Sequence, residues 1–257
     1  MTLVLSGRNL TRIFIEGNIL KCYQEGELFQ EHSLEGISKL NCSENQLTSL
    51  PDNLPEGLET LDCSRNRLSN LPDNLPEGLE TLWCSRNQLT SLPDTLPEGL
   101  KSLYCYGNRL TKLPDTLPEG LETLNCSRNQ LTSLQDTLPE RLKTLDCSDN
   151  LLTNLPNTLP EGLKTLECPG NQLTSLPNTL PEGLKILVCQ KNPLKYVPFF
   201  SKRPAYLIVP GEFEEKHYSE RYSEYYQEQQ YNRYLIYFFF SEFRFTEDFL
   251  LTELNRN

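Results

Sequence analysis

The feature that most constrains this chain is a 21-residue period. Residues 58–78 read LETLDCSRNRLSNLPDNLPEG, and the same pattern begins again at residue 79. A cysteine recurs at this interval eight times, and an asparagine follows each cysteine three residues later. The cysteines are Cys42, Cys63, Cys84, Cys105, Cys126, Cys147, Cys168 and Cys189, and the asparagines are Asn45, Asn66, Asn87, Asn108, Asn129, Asn150, Asn171 and Asn192. An apolar pattern L-x-x-L-x-C-x-x-N-x-L at this period predicts a solenoid of stacked coils.

Each repeat predicts one short strand and one extended return segment. Leu61 and Cys63 alternate with Asp62, so the two apolar side chains face the core and the carboxylate faces outward. Strands of consecutive repeats then lie side by side in a parallel sheet. Pro72 and Pro76 in the return segment fix φ and remove backbone donors, which favours an extended, polyproline-like convex side. No single repeat buries enough apolar surface to fold alone, so stacking must stabilise the array.

The repeated asparagine is predicted to lie inside the turn, where its amide forms hydrogen bonds with backbone groups that would otherwise be buried and unpaired.

One repeat departs from the pattern twice. Gln135 stands where six other repeats have proline, and Arg141 stands where six others have glycine. Because a positive φ would strain an arginine, Arg141 predicts a negative φ at this glycine position.

The unit LPEGLKTLxCSxNQLTSLPDT resembles the short bacterial leucine-rich repeat of secreted pathogen effectors, whose pattern is LPxxLxxLxVxxNxLxxLP. It is also similar to repeat proteins encoded by giant DNA viruses of amoebae, in which the Cys-Ser-x-Asn variant is common. The resemblance covers roughly residues 34–198. It implies a leucine-rich repeat horseshoe with a concave parallel β-sheet, and it leaves the function open because the repeat is a scaffold.

Three regions are predicted along the chain: an N-terminal cap over residues 1–9, the solenoid over residues 10–211, and an aromatic-rich C-terminal cap over residues 212–257. Ile13–Ile15 fits the strand pattern with Ile15 in the cysteine position, followed by a coil with a six-residue insertion near residues 22–32. Leu207 and Val209 fit a last, atypical strand, which gives a sheet of about ten strands. A hairpin joining residues 3–5 to residues 13–15 is a further possibility at the N-terminal end.

The C-terminal region changes abruptly in composition to Tyr, Phe, Glu and Gln from Glu212 onward. Its aromatic residues follow helical spacing, which predicts a helix that folds back over the open end of the solenoid. The alternative is an exposed aromatic segment that docks a partner or drives self-association.

Charge and cysteine usage indicate the compartment. The net charge of −11 argues against a nucleic-acid partner or an anionic membrane surface. No apolar run is long enough to span a bilayer, and the N-terminus lacks the apolar core of a signal peptide. Eight of the nine cysteines belong to the repeat and are predicted to be buried, reduced thiols, since parallel neighbours give poor disulfide geometry. A reducing compartment follows, either the cytoplasm or the cytoplasm of a host cell.

The sequence offers little for catalysis. His32 and His217 are the only histidines, one near each end, which argues against a His-dependent triad. No phosphate-binding loop, metal-ligand cluster or cofactor motif occurs. The Asp and Glu residues occupy equivalent repeat positions, which is typical of a solvated face. Some effectors of the resembling family carry a ubiquitin-ligase domain with a catalytic cysteine, but no cysteine follows Cys189 here.

What remains is the outward residue between each buried leucine and cysteine. This column varies while the rest of the repeat is copied closely. It reads Phe14, Asn41, Asp62, Trp83, Tyr104, Asn125, Asp146, Glu167, Val188 and Ile208. Trp83, Tyr104 and the nearby Tyr106 are aromatic anchors of the kind that dominate protein interfaces. Three arginines lie near them: Arg65, Arg86 and Arg109. Drift at a tolerant exposed position is the alternative explanation.

These observations predict a non-enzymatic scaffold that binds a protein partner on the concave face, with no cofactor and no metal. The resemblance implies a pathogen or viral protein that acts on host proteins. The alternative function is structural, with assembly driven by the aromatic C-terminal segment.

Overall fold

The computed structural model describes residues 1–195, 198 and 204–209. This part of the chain contains thirteen strands in two sheets. They are β1 (Thr2–Val4), β2 (Arg12–Glu16), β3 (Ile19–Gln24), β4 (Glu27–Ser33), β5 (Lys39–Asn41), β6 (Thr60–Asp62), β7 (Thr81–Trp83), β8 (Ser102–Tyr104), β9 (Thr123–Asn125), β10 (Thr144–Asp146), β11 (Thr165–Glu167), β12 (Ile186–Val188) and β13 (Tyr206–Ile208).

The main sheet is parallel and has ten strands in the order β1-β5-β6-β7-β8-β9-β10-β11-β12-β13. From β5 to β12, neighbouring strands pair equivalent residues of consecutive repeats, so that Leu61 lies opposite Leu82 and Asp62 opposite Trp83. The middle residue of each of these strands is buried and the third faces outward. The predicted solenoid with a concave parallel sheet is therefore confirmed.

The prediction for the first strand of this sheet is wrong. β1 at Thr2–Val4 occupies that place, with Leu3 opposite Leu40, and Ile13–Ile15 lies in the second sheet. Equivalent positions of the first and second coils are 37 residues apart, whereas those of later coils are 21 residues apart. Leu5, Ser6 and Leu10 take the positions that Cys42, Ser43 and Leu47 take in the next coil, as the bond from the Leu10 N–H to Asn45 Oδ1 shows.

The extra length of this first coil forms a three-stranded antiparallel sheet, β2-β3-β4, and not a six-residue insertion. Two tight turns build it. The turn at Gly17 and Asn18 joins β2 to β3, and Glu25 and Gly26, both with positive φ, join β3 to β4. The predicted hairpin between residues 3–5 and 13–15 is also wrong, because β1 pairs in parallel with β5 and β2 pairs with β3.

The core is a continuous stripe of leucine and cysteine side chains that runs from Leu5 to Leu194. Ile13, Ile15 and Leu20 of the second sheet join it at the N-terminal end. From β5 to β12, each strand adds to this stripe its middle leucine and the cysteine that lies two residues after that leucine. Since neighbouring repeats share these contacts, the stacking supplies the burial that a single repeat lacks.

The asparagine prediction is confirmed in all eight repeats. Nδ2 of Asn66 donates to the carbonyls of Cys63 and Ser64 in its own turn and of Cys42 in the preceding turn, at 3.0–3.2 Å. Its Oδ1 accepts the N–H of Leu47 at 2.9 Å. Each asparagine therefore fastens its own repeat to the previous one.

The return segment contains no helix within the described residues. At its end, the Leu58 N–H donates to the Pro55 carbonyl at 3.0 Å, and six further repeats have the same turn, including the bond from the Leu142 N–H to the Pro139 carbonyl. The φ of Arg141 is not positive, as predicted. This turn accepts arginine in place of glycine because the position does not require a positive φ.

A column of residues with left-handed backbone conformation, which was not predicted, lies two residues after each repeat cysteine. Six of its eight positions hold a residue other than glycine, with φ of 50–56°. They are Glu44, Arg65, Arg86, Arg128, Asp149 and Lys191, and the other two positions are Gly107 and Gly170. The backbone N–H of these residues extends the ladder, as in the bond from Arg65 to the Ser85 carbonyl at 2.8 Å. Such bonds hold the chain in a conformation that costs a non-glycine residue about 1–2 kcal/mol.

The aromatic-rich C-terminal cap predicted over residues 212–257 lies outside the described residues, and it stays a prediction. None of the residues that the structure describes forms a helix with the length and apolar character needed to cross a membrane.

Candidate partner-binding face

The outward column of the main sheet is built by the third residue of each strand. Phe14 does not belong to it, because β2 is in the other sheet. Val4 takes the first place, opposite Asn41. From β5 onward the column is as predicted and places unlike side chains on adjacent strands of one face.

Two aromatic side chains stack at the centre of this column. Trp83 on β7 lies opposite Tyr104 on β8, with ring centroids 5.7 Å apart and planes inclined by 16°. Both side chains are half-buried. The parallel register of the sheet makes these two residues neighbours, because it places equal repeat positions side by side on adjacent strands.

Tyr106 and Arg86 form a second contact beside the stack. The Arg86 guanidinium lies over the Tyr106 ring, 5.6 Å from its centroid. Tyr106 stands where most repeats have serine, and Arg86 belongs to the left-handed column. The structure thus brings four of the six predicted site residues together on β7, β8 and the turns that follow them.

The other two predicted arginines are placed differently. Arg65 is exposed and forms an ion pair with Glu44 of the preceding repeat at 2.9 Å. Arg109 is also exposed and follows the buried Asn108, where the chain leaves the turn. Both lie at the edge of the face and not on the column itself.

The aromatic stack replaces a local hydrogen-bond pattern of the other repeats. Where the column holds Asn or Asp, the serine two residues later donates to it, as in Ser127 Oγ to Asn125 Oδ1 at 2.8 Å and Ser43 Oγ to Asn41 Oδ1 at 2.7 Å. Trp83 offers no such acceptor. The hydroxyl of Ser85 is buried and has no hydrogen-bond partner among the described residues, a loss of about 1–3 kcal/mol relative to a paired group.

A pair of carboxylates on the same face was missed by the sequence reasoning, which treated all acidic residues as solvated. Asp146 on β10 lies opposite Glu167 on β11. Burial raises the pKa of Glu167 to about 7, and the negative charge of Asp146 adds to the effect. Burial also raises the pKa of Asp146, although its hydrogen bonds from Ser148 act in the opposite direction. The signal was the column itself, which has two successive acidic residues only here.

The thiols do not contribute to this face. All nine cysteines are free and buried, and burial raises the pKa of Cys105 to about 12. The Cys63 thiol donates to the Trp83 carbonyl at 3.3 Å. Thiols in this state are inert at neutral pH. Within the described residues, no three His, Cys, Asp or Glu side chains are grouped so as to hold a metal ion.

Comparison with known proteins agrees with this architecture. The family profile Leucine Rich Repeat matches residues 57–77, the length of one repeat. The leucine-rich repeat domain of a Shigella effector is 36% identical, with a TM-score of 0.54, and the match covers 63% of this chain and 72% of that domain. This chain belongs to the leucine-rich repeat family.

Two other solved leucine-rich repeat structures are similar at 32% identity. YopM from Yersinia enterocolitica matches 67% of this chain with a TM-score of 0.52. A leucine-rich repeat protein of Leptospira interrogans matches 64% with a TM-score of 0.62. This leucine-rich repeat chain spans a little under half, 46%, of each of those two chains. No curated protein matches it.

Proposed function

We propose that this protein is a non-enzymatic scaffold that binds a protein partner on the concave face of its main sheet. The binding residues are Trp83, Tyr104 and Tyr106, together with Arg65, Arg86 and Arg109 at the edge. The leucine-rich repeat fold supports this proposal. The similar Shigella domain belongs to an effector, which supports action on the proteins of a host cell.

The observation that carries the proposal is the stack of Trp83 and Tyr104. Two large aromatic rings remain half-exposed on a face whose other columns consist mainly of Thr and Ser. In the part of the chain that the structure describes, the Ser85 hydroxyl, two residues after Trp83, has no hydrogen-bond partner. Exposed Trp and Tyr side chains of this kind dominate the binding energy of protein interfaces.

The experiment is capture of a partner from host-cell lysate by the full-length chain, followed by affinity measurement with the purified partner. The Trp83→Ala, Tyr104→Ala double variant is expected to weaken binding by at least a hundredfold, since each anchor contributes about 2 kcal/mol or more. The matched control is Thr144→Ala, Thr165→Ala, which changes two outward residues of the same sheet. Equal binding by both double variants contradicts the proposal.

The site of action that we propose is a reducing compartment, either the cytoplasm or the cytoplasm of a host cell. Nine free, buried cysteines support it, because disulfides are rare in such compartments. The similarity to repeat proteins of giant viruses stays a prediction.

Self-association is the alternative function, favoured by the density of Tyr and Phe after Glu212. Light scattering compares the full-length chain with a chain that ends at residue 211. A loss of molecular mass beyond that of the removed residues supports self-association. If both the full-length and the shortened chain are monomeric, the result supports the partner-binding scaffold.

A further inference from the structure

The charge on the concave face is of one sign. Each strand from β6 to β11 has two outward residues. Taken together, the outward residues of these strands include three carboxylates and no lysine or arginine. The carboxylates belong to Asp62, Asp146 and Glu167. Basic residues lie next to the strands, and two of them are already paired: Lys101 with Glu80 at 2.6 Å and Lys143 with Glu122 at 2.7 Å.

Glu167 is the least compensated of these groups. Within the described part of the chain, its carboxylate has no hydrogen bond and no ion pair. Its neighbours on the adjacent strands are Asp146 on β10 and Val188 on β12. Asp146 accepts the backbone N–H of Ser148 at 3.0 Å and faces Glu167 with like charge. Like charges at facing positions of neighbouring strands destabilise a sheet. Among the residues that the structure describes, neither carboxylate has an ion-pair partner to offset this repulsion.

The acidic pair and the aromatic stack are within reach of one extended segment. Tyr104 on β8 and Asp146 on β10 are two strands apart, about 10 Å at the usual strand spacing. About three residues of extended chain cover this distance. Aromatic faces and carboxylates are also the two kinds of group that attract a cation most strongly.

We infer that the concave face binds an extended, positively charged segment of a protein partner, with a lysine or arginine side chain against Asp146 and Glu167 and a neighbouring side chain on the Trp83–Tyr104 stack. This inference rests on the proposed binding function and gives the partner its chemistry. The incoming cation supplies the missing counter-charge, and the stack supplies the apolar anchor.

The test uses the full-length chain and a fluorescein-labelled 14-residue peptide in which Arg and Tyr are three residues apart among Gly and Ser. A second peptide has Gln in place of every Arg. The wild-type protein is expected to bind the basic peptide and not the Gln peptide. The Asp146→Asn, Glu167→Gln double variant should bind the basic peptide at least tenfold more weakly.

The matched control is Glu161→Gln, Glu182→Gln, which removes the same net charge from exposed positions in the turns of the return segment. It is expected to leave the affinity within twofold of wild type. An equal loss of affinity in both double variants means that net charge alone attracts the peptide, and it overturns the inference. Failure of the wild-type protein to bind the basic peptide overturns it as well.

A pH series gives a second, independent measurement. Since a bound cation favours the ionised form of Glu167, the affinity of the wild type should rise between pH 6 and pH 8. The Glu167→Gln variant should lose this rise. An unchanged rise in that variant assigns the pH dependence to another group and contradicts the inference.

The two proposals can fail separately. A captured partner that depends on Trp83 and Tyr104 but binds the Asp146→Asn, Glu167→Gln variant normally keeps the scaffold function and overturns the charge assignment. A partner that depends on neither pair overturns the proposed function itself.

Discussion

At the scale of the residue, each buried asparagine joins two turns. Asn129 donates to the carbonyls of Cys126, Ser127 and Cys105 at 3.0–3.1 Å and accepts the Leu110 N–H at 3.0 Å. Asn129→Ala leaves these buried groups unpaired, so we expect it to lower the free energy of unfolding by about 1–3 kcal/mol. Urea denaturation followed by circular dichroism measures this loss. Gln130→Ala, an exposed neighbour, serves as the control and should stay within about 0.5 kcal/mol.

Two glycines in consecutive turns test the left-handed column. Gly107 has a φ of +67°, whereas Gly120 lies in the return-segment turn and has no positive φ. Gly107→Ala should destabilise the protein by about 1 kcal/mol, because an alanine pays the left-handed penalty. Gly120→Ala should be neutral or slightly stabilising, since the unfolded chain loses freedom. Thermal melting measures the change in melting temperature of each variant. Equal changes in the two variants would refute the assignment of backbone strain to the left-handed column.

The buried Glu167 carboxylate predicts a pH-dependent stability. Its pKa in the folded protein, about 7, is above the ordinary value of 4.5. The folded state therefore binds more protons than the unfolded state between these values, and stability falls as the pH rises through this window. Glu167→Gln removes this cost, so we expect it to stabilise the protein by about 3 kcal/mol at pH 8 and to have little effect at pH 4. Melting temperatures at the two pH values measure the difference.

At the scale of the element, each strand from β5 to β12 is followed by one buried thiol of the stripe. Burial raises the pKa of Cys42, Cys105 and Cys189 to about 12, whereas that of Cys22 on β3 rises only to about 11. We expect a thiol reagent at pH 8 to label native protein slowly, with Cys22 first, and to label all nine thiols at once in guanidinium. Mass spectrometry after brief labelling identifies the site. Rapid labelling of Cys105 in native protein would contradict the buried stripe.

The strands from β5 to β13 could be predicted because the apolar pattern of the strand recurs in the sequence of each coil. The first coil could not be predicted in the same way. Arg8 stands where the later turns have asparagine, and the interval of 37 residues hides the match. The match between Leu5-Ser6 and Cys42-Ser43, with Leu10 in the place of Leu47, was a usable signal, as were the turn residues Gly17-Asn18 and Glu25-Gly26.

The candidate face was predictable only in part. Repeat spacing placed Trp83 and Tyr104 together because the parallel register aligns equal positions. The energies were not visible in the sequence. The pKa of Glu167 depends on how deeply the face buries it, and the orphaned Ser85 hydroxyl depends on what stands two residues before it. The first feature arises from burial and from a neighbour in another repeat, and the second from a side chain at an outward position that the repeat pattern leaves variable.

At the scale of the whole molecule, the array should tolerate the removal of one complete repeat. Deleting residues 112–132 joins Thr111 to Ser133 and restores the repeat pattern at the junction. Every asparagine then finds an equivalent neighbour, because each repeat contacts only the next. The shortened protein should unfold cooperatively, and its urea m-value should fall by about a tenth, in proportion to the surface that it no longer buries. Deleting only residues 112–122 removes the return segment and breaks the period, so this variant should lose cooperative unfolding. Cooperative unfolding of both deletions at similar urea concentrations would mean that the 21-residue register does not hold the solenoid together.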